Sequence, residues 1–444
     1  MLWKIFLGAL AIRWIYAVLM FALMGDAGLQ SVDSGTYLSY AHEYSAAIAA
    51  GSLHGLQWLG PVSDTMPLAH WLFTLSALVP GTSASLVYVF LQGLFDAGTC
   101  LIVYRLAQTV DEAYAAPAAI AAALNLTQIV LSGLALTDTP FVFFCALFLF
   151  AAVQWLRSPT WCWAVAIGVA LGAATMTRVL AAPFAAVLIV FLLATCAARK
   201  LISRRRIAQL VAAAVIFCFC IAPVVWRNVR EFGAWSLTPQ SGIHFALWIV
   251  PWIEQAANGT PWTAGNQDIK RRFDERYPTP AADPFEQSRR YETVGREQLA
   301  PLGIRPIAKA WAIGAGINLG SPAIILSPPI LQLPHTGFYA TPGARPADKI
   351  ENFLFHSDNA IYAWILLAGI AGVMLVRLIQ IVGLVALLRH GGALPLLCLF
   401  GLWTAYVLAV DGPVASPKYR LPIEPPLMVL TGAGLSVLLR RKPA

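Results

Sequence analysis

The sequence predicts an all-α polytopic membrane protein of about ten spans. Two observations carry this. The 444 residues are 59% hydrophobic and only 12% charged, and a soluble domain carries about twice that share of charge. Apolar runs of roughly 20 residues also recur along the chain, each long enough to cross a hydrocarbon core. They are continuous rather than alternating, which selects helices over a barrel.

The runs lie near residues 2–24, 84–107, 115–134, 138–156, 161–177, 179–198, 208–226, 359–387, 393–410 and 421–439. The first is too long for an ordinary signal-peptide core, and no clear small-x-small cleavage site follows it, so it reads as a retained anchor helix. Lys4, Arg105, Arg157, the cluster Arg199, Lys200, Arg204, Arg205 and Arg206, then Arg389 and the tail Arg440-Arg441-Lys442 all fall on one side of ten spans. Short loops rich in Lys and Arg mark the cytoplasm. Both termini are therefore expected inside, in a multi-pass protein of the inner (plasma) membrane. The net charge of +8 has the same origin and gives no argument for nucleic acid. Residues 311–333 are apolar but broken by Gly314, Gly316, Gly320, Pro322, Pro328 and Pro329, which disfavour a straight helix. An extra span there would also put Arg389 outside. The segment is expected at the interface or packed on the membrane face.

This reading divides the chain into three. Residues 1–226 form a transmembrane module with a first outer loop at 25–83. Residues 227–358 form the fourth outer loop, an extracytoplasmic region that holds most of the aqueous charge. Residues 359–444 carry the last spans. In the first loop, Met66-Pro67-Leu68-Ala69-His70-Trp71-Leu72 reads as an amphipathic piece lying on the membrane with its Trp at headgroup level. In the fourth, 270–276 and 284–300 read as solvated helices and 321–346 as irregular. The seven cysteines, Cys100, Cys145, Cys162, Cys196, Cys218, Cys220 and Cys398, all fall in or beside apolar runs and read as small buried apolar residues.

Ionisable groups at membrane depth are costly and demand a reason. Arg13 and Asp96 lie mid-span and read as a fold-fixing pair, or with Arg13 snorkelling. Asp33, Asp138, Arg178, Arg227, Lys418 and Arg420 differ, because each sits at or just beyond the outer end of a span. Any one alone reads as a solvated loop charge. Together they give two carboxylates and four cations at one face, which suits transfer from a phosphorylated lipid. The cations hold phosphate, and a carboxylate accepts the proton of an attacking hydroxyl. No clustered His/Asp ligand set is present, so no metal or cofactor is assigned. Asp138 stays open as a group that orients the acceptor or binds a divalent metal. His54, His70 and His244 are scattered and read as structural or interfacial.

Several stretches carry a family likeness. Asp33-Ser34-Gly35-Thr36-Tyr37 with Ala41 looks like a first-loop acid motif, and Met66-Pro67-Leu68 like a Pro-Pro-Leu stretch. Thr137-Asp138-Thr139-Pro140 opens the fourth span. Leu171-Gly172 through Thr177-Arg178 looks like a glycine-then-arginine junction. Ala222-Pro223, Trp226-Arg227-Asn228 and Glu231-Phe232-Gly233 follow in order, and Tyr419-Arg420-Leu421-Pro422 with Pro425 opens the last span. In this order the chain resembles the GT-C membrane glycosyltransferases, in the branch of the bacterial aminoarabinose and protein-mannosyl transferases. The resemblance implies a GT-C-like helical bundle. It also implies transfer of a sugar from a polyprenyl-phosphate donor to an acceptor hydroxyl on the outer, periplasmic face by single displacement, the acceptor being a glycan, lipid or protein. Carried over, Asp33 would be the general base, Tyr37 would pack or hydrogen-bond beside it, and Arg420 would contact the donor. Where some relatives have Lys before Pro-Pro-Leu, this chain has Thr65 or Met66, so phosphate would be met by Arg178, Arg227, Lys418 or Arg420. The alternative function is a transporter or flippase of lipid-linked sugars, using the same cavity without chemistry. A third is a non-catalytic subunit of an envelope-polymer assembly.

Overall fold

The computed structural model describes residues 1–63, 65–335, 341–342, 345–356 and 360–439. In chain order its helices are α1 (Leu2–Met24), α2 (Ser34–Ala49), α3 (Pro67–Ala77), α4 (Ala84–Gln108), α5 (Glu112–Ala123), α6 (Leu126–Ser132), α7 (Asp138–Arg157), α8 (Trp161–Thr177), α9 (Ala182–Ala198) and α10 (Arg204–Phe232). There follow α11 (Gln240–His244), α12 (Val250–Asn258), α13 (Trp262–Arg276), α14 (Pro284–Leu299), α15 (Ile304–Gly320), α16 (Pro328–Leu331), α17 (Pro346–Phe355), α18 (Ala360–Arg389), α19 (Leu394–Asp411) and α20 (Glu424–Leu439).

Among the described residues, eight helical segments are long and apolar enough to cross a membrane, or nine if the bent pair α5–α6 counts as one span. Helix α8 is apolar but has 17 residues. Every expected run thus coincides with a helix, while length and hydropathy support eight or nine crossings. The Arg440-Arg441-Lys442 tail used for orientation lies outside the described residues.

The 46° bend between α5 and α6 has an identifiable cause. Arg13 of α1 donates from Nη2 to the Ala122 carbonyl at 3.0 Å, and from Nη1 to that of Ala123. These carbonyls end α5, so the arginine takes the place of the next helical turn. Asn125 then caps α6 by accepting from the Thr127 N–H at 2.8 Å. The Arg13 Nε meets Asp96 Oδ2 of α4 at 2.7 Å, and Gln128 of α6 donates to Asp96 Oδ1 at 2.7 Å. The buried pair expected from the sequence therefore exists, and it locks α1, α4, α5 and α6 together.

Around this lock, α4 packs on α1, α5 and α7, while α8 packs between α7 and α10. Helix α20 lies against α5 and α18. The α18–α20 crossing depends on glycine from both sides: a Cβ on Gly383 would overlap the Leu430 carbonyl, and one on Gly434 the Ile379 carbonyl.

Described helices of both loop regions pack on the bundle. Helix α3 packs on α2, α4 and α8, and its His70, Phe73 and Thr74 are buried. It is a built part of the module rather than a surface piece, because residues on several of its sides find protein partners. The stretches expected as solvated helices are the second half of α13 and α14. The apolar 311–333 segment supplies the end of α15, a 3-10 turn at Ala323–Leu326 and α16. Helix α15 packs on α12, α18, α19 and the Pro417–Ile423 turn. Part of the stretch expected as irregular, 336–340 and 343–344, lies outside the described residues. The cysteines divide: Cys100, Cys145 and Cys196 are buried, Cys220 is half-buried, and Cys162, Cys218 and Cys398 are exposed on apolar helices. In a membrane bundle an apolar side chain satisfies itself equally against lipid, so apolar company alone does not bury it.

Candidate active site

Asp33 is the residue that precedes α2, and two contacts fix that helix start. Ser34 Oγ donates to the Ala135 carbonyl at 2.8 Å, and the Ala135 N–H donates to the Leu29 carbonyl at 2.7 Å. Residues 134–136 are themselves held by α4, through Gln92 to the Leu134 carbonyl (2.7 Å) and Tyr88 to that of Leu136 (2.9 Å). The same clamp places Asp138, the first residue of α7, on the same end of the bundle as Asp33. An acid in a first helical turn also suits the helix dipole.

Two cations complete the group. Arg178 follows α8 in extended conformation and pairs with Asp138 through Nη1 and Oδ1. Lys418 lies in the turn before α20, and its Nζ is 2.7 Å from Asp33 Oδ2. Arg178, Asp138 and Lys418 are within electrostatic reach of one another. Tyr37, one turn along α2, stands among all four charges, against Phe73 at 5.3 Å between ring centroids. Burial pushes its hydroxyl up to about 12, against the pull of Arg178, so it is a neutral hydrogen-bonding group at any working pH.

Three further residues join them. Asp411, the last residue of α19, lies in the field of Arg178 and Asp138. Tyr419 lies beside Lys418, whose Nζ is 5.7 Å from its ring centroid. His244 lies in the field of Arg178 and Lys418, and burial, aided by those cations, pushes its imidazole down to about 4. Asp138 and Asp411 are 3% and 6% exposed, and in each Oδ2 lacks a hydrogen-bond partner among the described residues. Sequence reasoning passed over Asp411. Its signal was an acid closing an apolar run directly before Gly412-Pro413.

Arg227 and Arg420 are engaged elsewhere. Arg227 donates to the Gly60 carbonyl at 2.7 Å and to Asn228 Oδ1 at 3.1 Å, which ties the first loop to α10. Asn228 in turn holds the Ser236 carbonyl at 2.7 Å, and Gly233, at φ 63°, ends α10 with a left-handed cap. The Arg-Asn…Phe-Gly stretch is thus a helix terminus. Arg420 is 2% exposed. It meets Glu424 Oε1 (2.6 Å), Thr127 Oγ1 (2.7 Å) and the carbonyls of Asn318 (3.0 Å) and Ser321 (2.7 Å). It fastens the end of α15 to the start of α20.

The cluster at Asp33 can therefore present two cations to an anion, a partly exposed carboxylate to a hydroxyl, and neutral Tyr and His side chains to polar groups. Among the described residues no group of three or more His, Cys, Asp or Glu is placed to hold a metal ion.

Residues 64–226 match the family model described as dolichyl-phosphate-mannose-protein mannosyltransferase, a match over less than half of the chain. No curated protein matches the sequence. Among solved structures, the oligosaccharyltransferase of Archaeoglobus fulgidus, tethered to an acceptor peptide, superposes with a TM-score of 0.52 at 14% identity. The superposition covers 98% of this chain and 49% of that one. The same archaeal enzyme, AglB, in complex with an inhibitory peptide and a dolichol-phosphate, gives 0.52 at 13% identity, with 98% and 50% covered. The chain thus spans about half the length of the archaeal oligosaccharyltransferase it matches. ArnT of Cupriavidus metallidurans superposes only loosely, with a TM-score of 0.37 at 15% identity over 98% of this chain and 77% of that one. The chain is a multi-pass membrane protein whose described residues form helices and no strands, and its fold is a GT-C-like bundle.

Proposed function

We propose that the chain is a glycosyltransferase that moves a sugar from a polyprenyl-phosphate donor to an acceptor hydroxyl by single displacement. The observation that carries this reading is the Asp33–Lys418 pair, 2.7 Å long, set beside the Arg178–Asp138 pair at the loop end of a GT-C-like bundle. The family match over 64–226 and the dolichol-phosphate held by the archaeal neighbour agree with it.

The steps follow from the charges. The donor phosphate draws Lys418 and Arg178 towards it, in charge-assisted contacts stronger than neutral hydrogen bonds. Asp33, released from its lysine, takes the proton of the acceptor hydroxyl as that oxygen bonds to the anomeric carbon. The bond from that carbon to the phosphate oxygen breaks, and polyprenyl phosphate leaves with both electrons. The cations offset the charge that develops on it, so no protonating acid is required.

The reading also places the loop end, with region 227–358, outside the cytoplasm and both termini inside. Reporter fusions at residue 444 and within 260–300 should then report opposite sides, and a shared side rejects this topology. The activity test is purified protein with a labelled polyprenyl-phosphate sugar and envelope acceptors. Label transfer in the wild type and its loss in Asp33→Asn is the expected result. Donor that crosses vesicle membranes intact in both proteins would replace the transferase by a flippase.

A further inference from the structure

A cleft of about 460 Å³ opens between α12, the start of α13, α15 and the 413–415 turn. Trp252, Trp262, Lys309, Lys349, Ile313 and Ala415 are among its walls, and no Asp or Glu is among the described residues that line it. Trp262 Nε1 is buried and lacks a hydrogen-bond partner among the described residues. The cleft thus offers indole faces and two ammonium groups, of which that of Lys309 also donates to the Ala256 carbonyl at 2.8 Å.

It is also connected to the Asp33 cluster. Trp262 packs on Trp248 with ring centroids 4.9 Å apart, and Trp248 stacks on His244 at 6.4 Å and 19°. His244 lies in the field of Lys418 and Arg178. A row of rings therefore runs from the cleft to the charges. Trp248 belongs to the π-helical turn Phe245–Ile249, a widened geometry found frequently at functional sites. On the other wall, Ala415 lines the cleft and lies just before the Pro417–Ile423 turn, whose Lys418 holds Asp33.

We propose that this cleft is the acceptor subsite and that it takes an anionic saccharide, whose ring faces lie on the indoles and whose carboxylate or phosphate is held by Lys309 and Lys349. The proposal rests on the transferase reading of the Asp33 cluster. Indoles combine an apolar face with a polar edge, which matches the C–H faces and hydroxyl rims of sugars. The absence of acids from the described walls makes a negative charge the favoured one.

The test uses the whole protein in lipid nanodiscs, titrated with tetragalacturonate, phosphorylated maltotetraose and neutral maltotetraose, with tryptophan fluorescence as the readout. At least one anionic probe should bind about tenfold more tightly than the neutral one, a difference of about 1.4 kcal/mol. Which anion binds more tightly tells carboxylate from phosphate. Lys309→Gln with Lys349→Gln should erase the preference. Lys309→Arg should keep it, which shows that loss of charge and not of folding is responsible. Lys270→Gln, exposed on α13 away from the cleft, should leave it unchanged, and Trp262→Phe should weaken binding of every probe. Equal binding of the three probes, or a preference that survives the double Lys substitution, overturns the proposal. Asp33→Asn separates the two readings, because it should stop transfer and leave saccharide binding intact. Transfer without saccharide binding removes the subsite alone. Binding without transfer in the wild type removes the acceptor role together with the transferase reading.

Discussion

Lys418 and Asp33, 385 residues apart in the chain, form an ion pair of 2.7 Å in which the carboxylate is the more exposed partner, 43% against 16% by side chain. Solvent reaches the carboxylate side of the pair and screens it in part. That screening suits a base that must be freed and a cation that must change partner when phosphate arrives. A buried and fully satisfied pair, such as Arg420–Glu424, could not exchange in this way at comparable cost.

The first prediction separates the two members kinetically. Asp33→Asn keeps size and shape but cannot take a proton, so kcat should fall about a hundred- to ten-thousand-fold with the donor KM little changed. Lys418→Met should raise donor KM as well as lower kcat, because it removes phosphate charge. Steady-state kinetics at several donor concentrations give both numbers. A Lys418→Met enzyme with wild-type donor KM would remove the lysine from the phosphate site.

The second concerns Arg178 and Asp138. Asp138 is buried, with its side chain 5% exposed, so Arg178→Met strands a carboxylate. Breaking a buried pair from one side costs about 3–5 kcal/mol. Asp138→Asn together with Arg178→Met should recover much of that stability while donor binding stays impaired. Thermal unfolding of the two single variants and the double, with donor titrations on each, checks this. Recovery of donor binding along with stability would make the pair purely structural.

How much of this was legible in the sequence follows a physical division. Continuous apolar runs disclosed the helices, because burial in lipid needs no partner. The α5–α6 bend was hidden, because it depends on Arg13 reaching carbonyls 109 and 110 residues away. Helix α10 runs on to Phe232, past the expected end at 226, because Arg227 and Asn228 are polar yet buried by backbone partners. The same cause separates the site residues. Asp33, Tyr37, Asp138, Arg178 and Lys418 come together, whereas Arg227 and Arg420 look identical to Arg178 in sequence but spend their donors largely on carbonyls. A carbonyl acceptor leaves no mark in the sequence. Asp411 and His244 entered the cluster only through the fold.

The third prediction is a pH dependence. Burial holds the imidazoles of His244 and His70 down at about 4, against 6.5 ordinarily. Between pH 6.5 and 4 the unfolded chain therefore binds more protons than the folded one, so stability should fall as pH falls through that window and be flat with respect to these groups above it. Thermal midpoints in detergent from pH 4 to 8 should show the decline, and His70→Gln should flatten part of it. Because His244 stays neutral across the physiological range, it should contribute no step near pH 6.5 to the rate profile.

The fourth prediction tests the division among the arginines. Arg420→Met removes a guanidinium that meets Glu424, Thr127 and the carbonyls that end α15. Glu424, with its side chain 3% exposed, is left charged and buried, at a cost again of about 3–5 kcal/mol. Expression and thermal midpoint should drop, and Arg420→Met with Glu424→Gln should regain part of the loss. The protein that does fold should bind donor within about twofold of wild type, since a twofold change is well below the tenfold per 1.4 kcal/mol expected of a lost phosphate contact. Arg178→Met combined with Asp138→Asn should show the opposite pattern, stable but weak in donor binding. A folded Arg420→Met protein that binds donor tenfold more weakly would return Arg420 to the phosphate site and place the donor deeper, between α15 and α20.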